Sequence, residues 1–155
     1  MEESRPLNDV SEFHRTFKHP ILNNPEIPNE KRCALRISLL REELNELEEA
    51  ISMHDIVEVA DALCDIQYVL SGAILEFGLG NKFKDLFDEV QRSNMSKSCK
   101  TEAEAIETVK YYKEHHETEC HYEESDGHYL VYRTDDHKTI KSINYSPADL
   151  RKILG

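Results

Sequence analysis

Residues 39–70 read LLREELNELEEAISMHDIVEVADALCDIQYVL, and this stretch decides the fold. Apolar residues recur every three or four positions on both sides of SMHD, which indicates two amphipathic helices joined by a tight turn. Asn29 is placed to cap the first helix, which we expect to run to about Ile51, and Asp55 is placed to cap the second. Two antiparallel helices in direct succession predict an all-α domain.

Two acidic residues of the first helix point toward its apolar side. With about 100° per residue and Glu43 at zero, Leu39, Leu47 and Ala50 all fall within about 40° of Glu43. Glu46 lies at the edge of the same arc. The other acidic residues nearby turn away from it: Glu42, Glu48 and Glu49.

Three acidic residues of the second helix share one stripe. Glu58, Asp61 and Asp65 fall on the side that faces the first helix, so four or five carboxylates should converge. Their mutual repulsion in a partly desolvated place calls for a divalent cation. A donor set made only of oxygen atoms suits Mg²⁺, or Mn²⁺, better than Zn²⁺ or Cu.

Each piece of this pattern also has a plain structural interpretation. ELNELEE alone is typical of a solvated helix face, and Glu58 could belong to a capping box with Asp55. Lys97 alone could be an ordinary surface lysine. The joint pattern of two inward acid pairs on adjacent helices favours a metal site. We expect no zinc site in a second cluster, because its spacing is atypical: His115, His116, Cys120 and His121.

The rest of the first 97 residues predicts two more helices. Val10, Phe13 and Phe17 indicate a short helix over about residues 9–18, capped by Asn8 or Asp9. A proline-rich segment ends it, and NKFKDLFDEVQRSN supplies a fourth helix. Short connections favour an antiparallel four-helix bundle over residues 1–97.

The remaining residues, 98–155, predict a C-terminal extension packed on that core. TEAEAIETVKYYKEHH reads as an exposed helix, and HYLVYRT and KTIKSIN alternate like the strands of a hairpin around TDDH. An NYSPADL tail follows.

Composition excludes several partners and compartments. The net charge of -12, from 31 acidic against 19 basic residues, disfavours binding to nucleic acid and to anionic membranes. The four cysteines form no C-x-x-C pair, and the start MEESRPLNDV lacks the features of a signal peptide. No apolar run reaches the roughly 18 residues of a membrane span. We therefore expect a cytoplasmic protein.

Four segments resemble one enzyme superfamily: REELNELEEAI, DIVEVADALCDIQYVLSGAILEFGL, FDEVQRSNMSK and IKSINYSPADLRKIL. The chain is similar to the all-α nucleoside triphosphate pyrophosphohydrolases of the MazG-like and phosphoribosyl-ATP pyrophosphohydrolase-like superfamily, in particular its small stand-alone bacterial members. The likeness covers most of the chain apart from an insertion around residues 98–139, whose role it leaves open.

The resemblance implies a Mg²⁺-dependent enzyme that cuts a nucleotide between its α and β phosphates, and it implies assembly into a homodimer or homotetramer. Residues that match the family's motifs would hold the metal: Glu43, Glu46, Glu58 and Asp61. Others would bind the substrate: Asp65, Asn94 and Lys97. Glu46 or Glu42 is our candidate for activating the attacking water. Base and sugar preference, the number of metal ions and the choice between these two bases stay open.

Two other classes of protein fit the same acidic pattern. A di-metal carboxylate bundle also carries acids inside four helices, but it normally needs E-x-x-H pairs. A non-catalytic oligomerisation or regulatory module could use the acids only to fix helix register.

Overall fold

The computed structural model describes residues 4–155 and is mostly helical, with one small antiparallel hairpin. The elements are α1 (Pro6–Phe17), α2 (Glu30–Met53), α3 (Ile56–Glu76), α4 (Phe83–Met95), α5 (Glu102–His116), β1 (Cys120–Ser125), β2 (His128–Arg133) and α6 (Arg151–Leu154). Within residues 4–155, no helix combines the length and the apolar character needed to cross a membrane.

The chain divides into two compact units, Met1–Phe83 and Lys84–Gly155. The first unit holds three of the four helices expected of the bundle, and α4 begins at the division itself. The four-helix bundle stays a prediction, as does the extent of a catalytic core reaching to residue 97.

The first helix begins earlier than the sequence indicated. Pro6 occupies its first turn and Arg5 precedes it without a side-chain cap, so the predicted caps at Asn8 and Asp9 were wrong. Proline has its φ angle already set for a helix and needs no amide partner there, which is why it starts helices well.

The α2–α3 hairpin follows the prediction closely. Asn29 Oδ1 accepts a hydrogen bond from the Arg32 amide at 3.1 Å. Asp55 Oδ1 accepts from the amides of Val57 at 2.9 Å and Glu58 at 3.3 Å. These caps satisfy amides that have no partner inside the helix. The first unit is held by contacts of α2 and of α1 with α3.

The proline-rich segment between α1 and α2 is hydrogen-bonded to the C-terminal end of α3. Leu22 donates its amide to the Leu75 carbonyl at 3.0 Å, and Glu26 donates to Phe77 at 3.2 Å. Gly78 has φ 67°, and a Cβ there would lie 1.9 Å from the Asn24 carbonyl oxygen. Only glycine allows this close approach and this backbone angle together.

The second unit has its own core, formed by Cys99, Ala105, Val131 and Ile140. The predicted strand HYLVYRT forms β2, but its ladder partner is β1, and KTIKSIN adds only an isolated antiparallel bridge between Thr139 and Tyr132. Asp126 and Gly127 form its turn with φ 50° and 76°. Two consecutive positive φ angles are what a two-residue hairpin turn needs, and Asp-Gly supplies them, whereas TDDH does not.

The C-terminal tail runs along α4 within the second unit. Arg92 donates to the Pro147 carbonyl at 3.1 Å, and Asp149 donates its amide to Glu89 at 2.9 Å. The hydrogen bonds from Arg92 and Asp149 lower the pKa of Glu89 to about 2. These contacts give NYSPADL a defined place on α4.

Candidate active site

The candidate site lies between α2 and α3, near the turn that joins them. Ala50 and Ala62 are both buried, with exposed fractions of 2% and 3%. Helix separation depends on the size of the side chains at the contact, so two alanines let α2 and α3 approach closely. Both alanines line the cleft that opens there.

The cleft has a volume of about 410 Å³ and an acidic lining. Its four carboxylates are those of Glu46, Glu49, Glu58 and Asp61, beside Ala50, Ala62 and Met53. Within the described chain, no lining residue is basic. The two helices therefore bring acidic groups from both sides to one place, as the periodicity indicated for three of the four.

Glu49 is the cleft residue that the sequence did not single out. Its helical-wheel angle turns it away from the apolar arc, yet it lines the cleft with Glu46. A glutamate side chain is long enough to reach around a helix edge, and angles computed at Cβ do not include this reach. A list of all acids within one turn of Ala50 would have found it.

Glu43 lies beside this cleft and is half-buried. Burial raises the pKa of its carboxyl, and repulsion from neighbouring carboxylates raises it further. These neighbours, in decreasing order of effect, are Asp65, Glu46, Glu42 and Asp61. The acidic region thus extends along both helices. Glu43, its four acidic neighbours and Glu58 of the cleft are together all the acidic residues for which we predicted a role.

The surrounding side chains do not neutralise this field. Within residues 4–155, the ion pairs of α2 and α3 join Glu76 to Arg32 and Arg36, and none involves an acid of the cleft. Glu58 is not needed to complete a capping box by accepting from the Asp55 amide. That amide already donates to the Ala50 carbonyl at 3.1 Å. The carboxylate of Glu58 is therefore available to a ligand.

The carboxylates share a cleft without forming a tight cage. In the described part of the chain, no three of them place ligand oxygens within 4.8 Å of one another. Such spacing does not suit a dehydrated transition metal held by protein atoms alone. It suits Mg²⁺, which keeps several waters and completes its shell with substrate phosphates. The donor set consists of oxygen atoms, as the sequence analysis expected, and the identity of the ion stays a prediction.

Two of the predicted substrate residues belong to the second unit. Lys97 donates from Nζ to Asn94 Oδ1 at 2.8 Å, and the Lys97 carbonyl accepts from the Ser142 amide at 3.0 Å. The pairing holds an ammonium group beside an amide, a combination that can donate to phosphate oxygens.

An aromatic cluster lies elsewhere in the first unit. The rings of Phe13 and Phe17 are 4.5 Å apart, and Tyr68 meets Phe13 edge-on at 5.5 Å. All three side chains are exposed, whereas neighbouring His14 is buried with an exposed fraction of 2%. His14 is therefore a core residue.

The comparison with protein families decides the lineage. The family model described as phosphoribosyl-ATP pyrophosphohydrolase matches residues 10–94, which is more than half of the chain. The chain belongs to the phosphoribosyl-ATP pyrophosphohydrolase family. The match confirms the resemblance to the MazG-like pyrophosphohydrolase superfamily. It includes every predicted site residue except Lys97, which lies three residues beyond it.

One relative in this comparison is an uncharacterised protein of Acanthamoeba polyphaga mimivirus. It is 30% identical over 100 residues, which cover 62% of this chain. The same residues span 40% of the viral protein's length. The relative adds sequence similarity to the family match and says nothing of substrate.

Proposed function

We propose that this member of the pyrophosphohydrolase family is a Mg²⁺-dependent nucleoside triphosphate pyrophosphohydrolase. It cleaves its substrate between the α and β phosphates and releases the nucleoside monophosphate and pyrophosphate. The observation that carries the proposal is the cleft between α2 and α3, where carboxylates from both helices lie together without basic partners among the described residues.

Glu43, Glu46, Glu58 and Asp61 would hold the metal, with Mn²⁺ as the alternative ion. When bound, the divalent cation supplies charge that offsets the phosphates and makes a nearby water more acidic. Glu46, Glu58 and Asp61 support this role by lining one cleft, and Glu43 supports it by its desolvated position among four acidic neighbours.

Glu46 is the better of the two candidates for accepting a proton from the attacking water. It lines the cleft, whereas Glu42 is exposed outside the lining. A general base must reach the water within hydrogen-bonding distance, so a position in the cleft favours Glu46. Glu42 then adds negative charge beside Glu43.

Asp65 would orient the substrate, and Asn94 and Lys97 would bind its phosphates. Lys97 is half-buried and held at 2.8 Å from Asn94, so its ammonium loses little further freedom on binding. A fixed ammonium offsets charge that develops on the leaving pyrophosphate.

A homodimer or homotetramer is the proposed assembly, with the four-helix bundle completed across subunits. The first unit exposes large apolar side chains on α2 and α3: Ile37, Leu44, Ile51, Leu63 and Leu70. Exposed apolar side chains on one helix pair support an interface when they form a contiguous patch. The charge of -12 argues against nucleic acid and membranes as partners, and the four free cysteines suit the cytoplasm.

Product analysis tests the proposed reaction. The purified full-length protein, incubated with Mg²⁺ and a panel of nucleoside triphosphates, should release monophosphate and pyrophosphate for at least one of them. Glu58→Gln should lower the rate about 100-fold or more, since it removes a charged group that acts in the site. Glu48→Gln is the matched control, because Glu48 is exposed on the same helix pair outside the cleft.

Three outcomes would refute this proposal. Release of diphosphate and inorganic phosphate would place the cut at another bond. Equal rates for wild type and Glu58→Gln would remove the cleft from the chemistry. Inactivity on every nucleotide, with no thermal shift from Mg²⁺ and a non-hydrolysable triphosphate, would favour a non-catalytic oligomerisation module.

A further inference from the structure

The outer face of the β1–β2 hairpin carries a cluster that the nucleotide reaction does not use. One ligand atom each from His121, Glu123 and His137 lies within 4.8 Å of the other two. All three residues belong to the second unit, in the segment whose role the family resemblance leaves open. We propose that this cluster is a binding site for a divalent transition metal ion such as Zn²⁺.

Strand geometry places two of the ligands side by side. His121 and Glu123 are two positions apart on β1, so their side chains project from the same face. The opposite face carries Tyr122, which packs with Val131 against the core of the second unit. The pair is therefore directed away from the core, toward solvent and a possible ligand.

The backbone after β2 brings the third ligand to the same face. Tyr132 is the cross-strand partner of His121, and it also forms an antiparallel bridge with Thr139. The chain must turn back between them, and His137 adopts φ 56° in this turn. Its amide donates to the Arg133 carbonyl at 3.0 Å, which fixes the turn.

Ring stacking holds the imidazoles in place before any metal binds. His137 stacks on Tyr132 with ring centres 4.1 Å apart and planes within 17° of parallel. The His121 ring lies 5.5 Å from His137 at an interplanar angle of 24°. Preorganised ligands lose less freedom on binding, which raises affinity.

The spacing fits a single ion. His121 Nε2 and Glu123 Oε1 are 3.6 Å apart. Two ligands on one tetrahedral ion, with bonds of about 2.0 Å, lie roughly 3.3 Å apart. Small side-chain rotations would therefore complete the geometry.

The donor set selects a class of ion different from that of the acidic cleft. Two imidazoles and one carboxylate are the ligands of many zinc and other transition metal centres, and Mg²⁺ binds imidazole poorly. Three protein ligands leave at least one position for water. Binding would join β1 to the turn after β2 and stabilise the second unit.

Titration of the EDTA-treated full-length protein with Zn²⁺ by calorimetry tests the site. Excess Mg²⁺ in the buffer occupies the acidic cleft, so that Zn²⁺ reports on the histidines. We expect one Zn²⁺ per chain and a rise in melting temperature on binding. Co²⁺ in place of Zn²⁺ should give a visible absorption spectrum that reports nitrogen ligands.

Two variants distinguish coordination from mere ring stacking. His121→Phe keeps an aromatic ring beside His137 but removes the ligand, and His137→Asn keeps a residue that tolerates positive φ. Each should weaken Zn²⁺ binding at least tenfold. His128→Ala is the matched control, since His128 lies on the same hairpin but outside the cluster, and it should bind as wild type does.

Two results would overturn the proposal. No Zn²⁺ binding by the wild type would mean that the three side chains are only a surface cluster. Unchanged Zn²⁺ affinity in both His121→Phe and His137→Asn would place the ion elsewhere on the chain.

Discussion

The helix pair α2–α3 surrounds its acidic residues in two opposite ways. Toward the C-terminal end of α3, Glu76 is only 1% exposed and accepts hydrogen bonds from Arg32 and Arg36. Near the α2–α3 turn, the carboxylates of the cleft have no basic partner among residues 4–155. The same two helices thus hold one carboxylate that is neutralised inside the chain and several that are not.

The pKa values of Glu76 and Glu43 shift in opposite directions. Burial alone would raise the pKa of Glu76, but the hydrogen bonds and charges of the two arginines outweigh it, and the pKa is lowered. Burial and like charges both raise the pKa of Glu43. A paired carboxylate stabilises the fold when ionised, whereas carboxylates without basic partners repel one another. The comparison separates a structural group from the groups of the proposed site on a single scaffold.

Removing the structural carboxylate should have the largest effect. Glu76→Gln leaves the Arg36 guanidinium, which is 9% exposed, without its counter-charge. Breaking a buried ion pair on one side costs about 3 to 5 kcal/mol. Urea unfolding followed by circular dichroism measures the loss.

The control for Glu76→Gln is Glu114→Gln, which removes an exposed pair with Lys110 on α5. Exposed pairs contribute about 0 to 1 kcal/mol, so this variant should unfold almost as wild type does. Equal stability of Glu76→Gln and wild type would show that the two regions do not differ as described.

Removing a functional carboxylate should affect turnover and leave the fold intact. Asp61→Asn removes one of four negative charges from a cleft that has no basic residue in its lining. The folded state therefore loses no ion pair. We expect nucleotide turnover to fall about 100-fold, as for the loss of one charged group acting on a transition state. Steady-state kinetics and thermal melting of the same preparation separate the two quantities. A melting temperature several degrees below that of wild type would assign Asp61 a structural role instead.

Acidification should weaken the structural region in two successive steps. Burial lowers the pKa of His14, so stability falls as the pH drops below 6.5 toward its folded value. The lowered pKa of Glu76 means that its contribution is complete above 4.5 and is lost as the pH falls through its folded value. Unfolding free energies measured from pH 8 to pH 3 should therefore decrease toward acid. His14→Gln should flatten the upper part of this curve, and an unchanged slope there would exclude His14 as its source.

Local signals explain what the sequence could predict. The caps at Asn29 and Asp55 and the acid stripes on α2 and α3 depend on residues within one or two helical turns, and the caps were confirmed. The family resemblance, which rested on the same segments, was confirmed as well. The roles of the acidic residues stay predictions.

Contacts between distant parts of the chain explain most of what was missed. Glu76 meets its arginines across 44 and 40 residues, and nothing in GAILEFG identifies those partners. His137 reaches His121 only because the chain turns back after β2. The hairpin error was different, since Asp126 and Gly127 carried a local turn signal that was overlooked.

The smallest expected effect is a gain in stability, whereas the other variants are expected to lose stability or activity. Glu43→Gln removes a charge that burial and four neighbouring acids oppose, so the metal-free protein should gain roughly 0.5 kcal/mol near neutral pH. The raised pKa sets the pH window: the ionised carboxylate reduces stability only above about 4.5, so the gain should vanish at pH 4. Mg²⁺ should raise the melting temperature of wild type and shift that of Glu43→Gln much less, because the variant has lost a ligand. Chemical unfolding at pH 4 and pH 7.5 without metal measures the gain in stability, and thermal melting with and without Mg²⁺ measures the shift on metal binding. Glu48→Gln serves as the control in both. A loss of stability at pH 7.5 without metal would mean that Glu43 belongs with Glu76 among the groups that hold the fold together.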